Sequence, residues 1–232
     1  MKVLACLFII LFCASYSGVL VAQSTSNYSV KFHPICGRLD WKPGEDFVKI
    51  NEQDSLRIET LKFYISNIQV IENDSVVWME KNSFHLIDAS DGKSMSLELN
   101  IPTSITYNKI KFGLGIDSST NVAGVMGGDL DPTRGMYWTW QSGYINFKLE
   151  GKSSLCKTRN NEFEFHIGGY QSPYNTFQSV VLNTGNNRII DVTIDCMKLF
   201  ETIDLSKQNH IMSPGSEAVE LSQKIAKIFS IK

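Results

Sequence analysis

The sequence predicts an all-β protein: an antiparallel β-sandwich, immunoglobulin-like or related, with one C-terminal helix. Three observations predict it. Short runs of alternating apolar and polar residues recur along most of the chain, which is the period of a strand with one buried face. Gly, Pro, Asn and Asp separate these runs at a cadence that suits a sandwich or barrel. Only after Ser213 does the apolar period lengthen to that of a helix.

The elements follow in order. Ser29 to His33 alternates as an opening strand, and Pro34, Gly37, Pro43 and Gly44 punctuate the loop after it. Leu56 to Ile71 is the most strand-rich section, rich in β-branched and aromatic residues and free of Gly and Pro. Its pattern sets Leu61, Phe63, Ile65 and Asn67 on one face, with Lys62, Tyr64, Ser66 and Ile68 on the other. Asn73-Asp74 marks a turn, and Val76-Val77-Trp78 begins the return strand. Phe84 to Ile87 is a further strand, and Ser94 to Leu99 and Ile105 to Leu114 flank Pro102. Trp138 and Trp140, one residue apart, are expected on the same side of a strand. Ile145, Phe147 and Leu149 alternate, as do Phe163 to Ile167 and Ile190 to Ile194, with Ser179 to Leu182 between the last two. Ala218, Leu221, Ile225 and Ile228 fall at helical spacing, with Ser213 placed to cap and Pro214 as first helical residue.

The chain of 232 residues is 43% apolar, enough for one domain with a real core. Residues 1–22 read as a secretory signal peptide: Lys2, an apolar run from Val3 to Phe12, then small residues before Gln23. Residues 23–232 are then a single exported domain, in the periplasm or outside the cell. No other stretch is apolar enough for a membrane helix, so the protein is not expected to be membrane-embedded. The net charge of −2 points neither to nucleic acid nor to an anionic surface as partner. Past residue 22 the cysteines are Cys36, Cys156 and Cys196, which allow one disulfide in three pairings and leave one thiol over.

Four histidines follow the signal segment: His33, His85, His166 and His210. Imidazole suits copper, zinc and nickel, and strands can gather histidines from distant parts of a sequence. Taken one at a time, each reads first as a part-buried polar residue bonded to its surroundings. A blue-copper site is excluded, because it needs a Cys thiolate near a His with a Met close after it, and neither Cys156 nor Cys196 has both. Asp117, Asn121, Asp129 and Asp131 offer oxygens for calcium, but lack the spacing of an EF-hand and read first as turn formers. No nucleophile elbow, zinc-protease helix or phosphate loop occurs, so an enzyme is not expected. Tyr137, Trp138, Trp140, Tyr144, Tyr170 and Tyr174 supply enough aromatic surface for a non-catalytic binding module, with a carbohydrate or protein partner.

The stretch Gly113 to Gly151 holds two acidic, Gly-rich loop segments, the Trp138/Trp140 pair, Gly143-Tyr144 and an alternating strand. That block resembles the MbnP-like family, periplasmic copper-binding partner proteins of methanobactin systems. Phe63 to Ile68, His85 to Asp88, Phe165 to Gly169 and Met212 to Gly215 resemble that family's other landmarks, in the same order. The resemblance implies a copper-binding protein for copper handling or storage. It implies His166 as first metal ligand, then His33 and His85; His210, near the helix start, is expected on the surface. It also implies an oxidised Trp completing the site, made by a dihaem peroxidase-like maturation enzyme. Trp138 and Trp140 are the residues it points to, with Trp41 and Trp78 further candidates. In some relatives the modified Trp lies two residues before a His, a spacing absent here.

Overall fold

The computed structural model describes residues 25–37, 39–44, 47–50, 52, 54–140 and 143–232. The signal segment read from residues 1–22 lies outside them. The strands in chain order are β1 (Thr25–Cys36), β2 (Leu39–Asp40), β3 (Val48–Lys49), β4 (Ser55–Glu72), β5 (Ser75–Met79), β6 (Phe84–Asp88), β7 (Ser96–Pro102), β8 (Lys109–Leu114), β9 (Tyr137–Trp138), β10 (Gly143–Ser153), β11 (Glu162–Gly168), β12 (Gln178–Asn183), β13 (Ile189–Asp195), β14 (His210–Ile211) and β15 (Phe229–Ile231). The helices are α1 (Ser118–Ala123), α2 (Cys196–Phe200) and α3 (Ser216–Ile225).

These strands form two packed sheets, as the alternation predicts. The smaller runs β15-β13-β1-β2, with β7 also on β1; the larger runs β12-β8-β4-β10-β11-β14, with β3, β5 and β6 on β4 and β9 on β10. Most pairings are antiparallel, but β1 lies parallel to β13 and β11 parallel to β14. Aromatic rings lock the sheets together. Phe32 of the small sheet meets Phe63 of the large one edge-on at 5.8 Å, and Phe229 does the same at 5.6 Å. Edge-to-face rings at such distances add about 0.5–1.5 kcal/mol each beyond their burial.

Strand β4 is the spine of the large sheet, and its face is not the simple alternation expected. The core takes Leu56 and Ile58, then Leu61, Phe63 and Ile65, then Ile68 and Val70. Two one-residue slips keep the apolar side inward. The first lies opposite Glu150 and Gly151. The second is at Asn67, whose φ of 52° is left-handed and whose neighbours Ser66 and Gln69 bracket a register shift against β8. A bulge moves every later side chain to the other face, so Ile68 points into the core and not away from it.

The C-terminal helix also differs at its ends. It begins at Ser216, and Gly215 occupies the cap position without a side-chain bond. Ser213 and Pro214 therefore precede the helix, with extended Gly215 between them and its first turn, and Pro214 lines a cleft described below. Ala218, Leu221 and Ile225 are buried as predicted, while Ile228 falls in a tight turn that leads into β15. Among the described residues no helix is long and apolar enough to cross a membrane.

Candidate functional site

Within the block from Gly113 to Gly151, residues 115–140, between β8 and β10, form a cap over the outer face of the large sheet. Tyr64, Leu86, Ile116, Leu130, Met136, Trp138, Tyr144 and Ile145 make a second apolar cluster there, separate from the main core. Loop backbone under a cap must find hydrogen bonds, and three side chains supply them. Asn121 donates to the carbonyls of Ile116 and Asp117 and accepts from the Tyr144 amide at 2.9 Å. The Tyr144 hydroxyl donates to the Leu130 carbonyl at 3.1 Å, and the Tyr64 hydroxyl donates to the Asp129 carbonyl at 3.0 Å.

The acidic residues weighed for calcium serve the same purpose. Asp117 caps α1 by accepting from the Thr120 amide at 2.9 Å, and Asp131 accepts from the Thr133 amide at 2.8 Å. Asp129 accepts from the Leu86 amide at 3.0 Å, tying the cap to β6. Asp117 and Asp131 do what Asp does in caps and turns, and Asp129 makes a tertiary bond.

The two tryptophans do not share a strand face. Only Trp138 lies in β9, where it is 5% exposed; Trp140 follows in a turn and is 63% exposed. The strand is two residues long, so the turn swings Trp140 outward. The rings remain close, with centroids 5.7 Å apart. Trp138 packs on Gly168 of β11, where a Cβ would sit 2.6 Å from its Cζ3. Its indole N–H is buried and makes no hydrogen bond, which is uncommon for a buried Trp. Beside it opens a cleft of about 210 Å³, lined by Trp138, Tyr170, Pro173, Tyr174 and Pro214 among others. Gly169 shapes this cleft: its φ of 128° suits glycine, and a Cβ would come 2.3 Å from the Tyr174 carbonyl and 3.0 Å from Pro214.

The histidines lie on three different surfaces. On β11, Phe165 and Ile167 enter the core, so His166 and Gly168 face outward, Gly168 beneath the Trp138 ring. On β1, Phe32 faces the core and His33 the outside of the small sheet, where its Nε2 lies 2.7 Å from Asp191. On β6, His85 is opposite the core residue Ile65, at the sheet edge, with Nε2 2.7 Å from Glu80. His210 is 3.2 Å from Glu164 and largely exposed, matching its expected surface position. Among the described residues no three His, Cys, Asp or Glu side chains gather in a metal-binding group. The structure therefore does not bring His33, His85 and His166 together.

His166 stands apart from the other histidines. It is 7% exposed and its Nε2 lies 2.6 Å from Glu150 Oε1. That hydrogen bond, helped by Thr60 and Lys148 and opposed by burial, pulls the Glu150 carboxyl down to about 2. Glu150 is then an ionised acceptor, so Nε2–H is the donor and, in the neutral ring, Nδ1 keeps the lone pair. Sequence reading missed Glu150. The signal lies in the pairing of strands: Lys148 is opposite His166, and Glu150 is the next outward residue on β10. Without the register nothing joins the two.

The family model for MbnP matches residues 25–213. The chain belongs to the MbnP family. Its fold agrees with a solved member, MbnP from Methylosinus trichosporium: the two superpose with a TM-score of 0.60, over 83% of this chain and 82% of that one, at 14% sequence identity. At that identity the likeness speaks for the fold alone. A comparison with curated proteins gives no match. The cap, the Trp pair and the outward His166 all lie inside the matched span.

Proposed function

We propose that this MbnP-family protein is exported and binds copper as cargo, for handling or storage and without catalysis. His166 is the donor we assign, next to Trp138. The observation that carries the assignment is their shared position: His166 and the Gly168 under Trp138 are successive outward residues of β11. The residues fit a donor of this kind. Imidazole suits copper, and a ligating His commonly gives its other N–H to a carboxylate, as His166 does to Glu150. They do not fit one site shared by three histidines, and His33 and His85 have no part in the assignment. Calcium is not part of this reading, since Asp117 and Asp131 already serve caps and turns and Asp129 ties the cap to β6.

Trp oxidation by a dihaem peroxidase-like partner belongs to the same proposal. Trp140 is the ring a docked protein reaches, and Trp138 is its neighbour at 5.7 Å. The test is copper loading of the purified protein, with Cu(I) and Cu(II) each offered against a competing chelator. Wild type, His33→Ala and His85→Ala should retain stoichiometric copper, and His166→Ala should lose it. Equal retention in His166→Ala overturns the donor assignment. No retention by wild type, with its Trp oxidation state checked by mass, overturns the copper reading.

One observation favours a second reading, a binding module for an organic ligand. The cleft beside Trp138 has aromatic and Pro walls, the usual make-up of small-molecule sites. Its volume suits one ring or a short side chain. Such a ligand would be lost on Tyr170→Ala and indifferent to chelators.

A further inference from the structure

The sequence leaves three pairings open among Cys36, Cys156 and Cys196; the fold separates them. Strands β1 and β13 run parallel with a constant offset, from Ser29 opposite Ile189 to Ile35 opposite Asp195. Within that ladder Val30 faces Ile190 and Phe32 faces Val192, all four buried in the core. The next residue on each chain is Cys36, the last of β1, and Cys196, the first of α2; both are buried in the core, 2% and 0% exposed, and both are free thiols in the structure. The chains are held together at this point, since the Gly37 amide, one residue after Cys36, donates to Asp195 Oδ1, one residue before Cys196, at 3.2 Å. Neighbouring strands run about 4.8 Å apart, inside the roughly 4.4–6.8 Å between Cα atoms that a disulfide spans. Cys156 is buried in the loop that follows β10, a strand of the other sheet.

We propose that Cys36 and Cys196 form a disulfide that clamps the end of β1 to the start of α2, directly after β13, with Cys156 left as a buried thiol. The site takes a small disulfide oxidant during folding. One cysteine, as thiolate, attacks the oxidant and releases one small thiol. The second cysteine then displaces the other small thiol, so S–S forms as the two protein thiols lose two protons and two electrons to the oxidant. Timing follows from burial, which raises both thiols, Cys36 to about 11. A thiol held protonated is a poor nucleophile, so the bond forms before the core closes. The proposal uses the export half of the reading above only for its cellular setting, and its test is independent of location and of copper.

The test is refolding of the reduced full chain with oxidised and reduced glutathione. The product is alkylated in denaturant without reduction, and its peptides are mapped by mass. The expected result is one linked peptide pair containing Cys36 and Cys196, lighter by two hydrogens than the separate peptides, with Cys156 alone alkylated. Cys156→Ser should give the same link, and its reduction should lower the unfolding midpoint. A link that includes Cys156, or alkylation of all three cysteines in the folded product, overturns the proposal.

Discussion

The two apolar clusters of this protein are built by different rules. The inner core lies between the sheets and is made of strand residues in register, with Phe32, Phe63, Phe147 and Phe229 meeting across it. The outer cluster lies under loops and is held by Asn121, Tyr144, Tyr64 and Asp129 through bonds to loop and strand backbone. The core needs shape; the cap needs polar satisfaction. The cap also leaves what the core does not: a buried indole N–H without a partner, an exposed Trp and an open cleft. Stability resides mainly in the first cluster, and the candidate binding features in the second.

Four substitutions sharpen that contrast. Phe147→Ala removes a ring that is 1% exposed and stacked on Phe63; it should cost about 3–5 kcal/mol by chemical denaturation and disturb the whole fold. Asn121→Ala strips the cap of three hydrogen bonds. It should cost about 1–3 kcal/mol, with faster amide exchange confined to residues 116–145 and the core unaffected. An equal loss of protection in β1 and β13 would show that the two clusters are one unit.

Glu150→Gln tests the outer face of β11 through pH. The Glu150 carboxyl is held near 2 in the folded protein, below the roughly 4.3 of an unfolded Glu. A depressed carboxyl stabilises fully above the unfolded value and loses that contribution as pH falls toward the folded one. Wild type should therefore lose on the order of 2 kcal/mol between about pH 4.5 and 2, and Glu150→Gln should show a flatter acid limb. Matching acid limbs would contradict the His166–Glu150 pair. The smallest effect is expected from Trp140→Ala. The ring is 63% exposed, so stability should stay within about 0.5 kcal/mol, while ligand binding at the cap should weaken.

Much of the fold was legible in the sequence because alternation reports a buried strand face directly. The strands around Phe63, Phe147, Phe165 and Val192 lie where their periods place them. What escaped depends on single residues whose backbone departs from the pattern. Asn67 in a left-handed conformation resets the face of β4, and nothing in a period-2 count marks it. Trp138 and Trp140 have the spacing of one strand face, but the strand stops between them. The candidate site was legible by residue type and not by grouping. Trp138 packs on Gly168, the outward residue of β11 after His166, whereas His33 and His85 are carried elsewhere by register. Glu150, the partner that fixes the His166 ring, is 16 residues away along the chain and adjacent only once β10 pairs with β11.

The most direct test of the central claim is a map of backbone amide shifts in labelled protein as Cu(I) is added. The account predicts changes centred on Glu150, His166, Gly168 and Trp138, with His33, His85 and the core strands of the small sheet unmoved. Changes centred on His33 or His85, or none at all with copper bound, would contradict it.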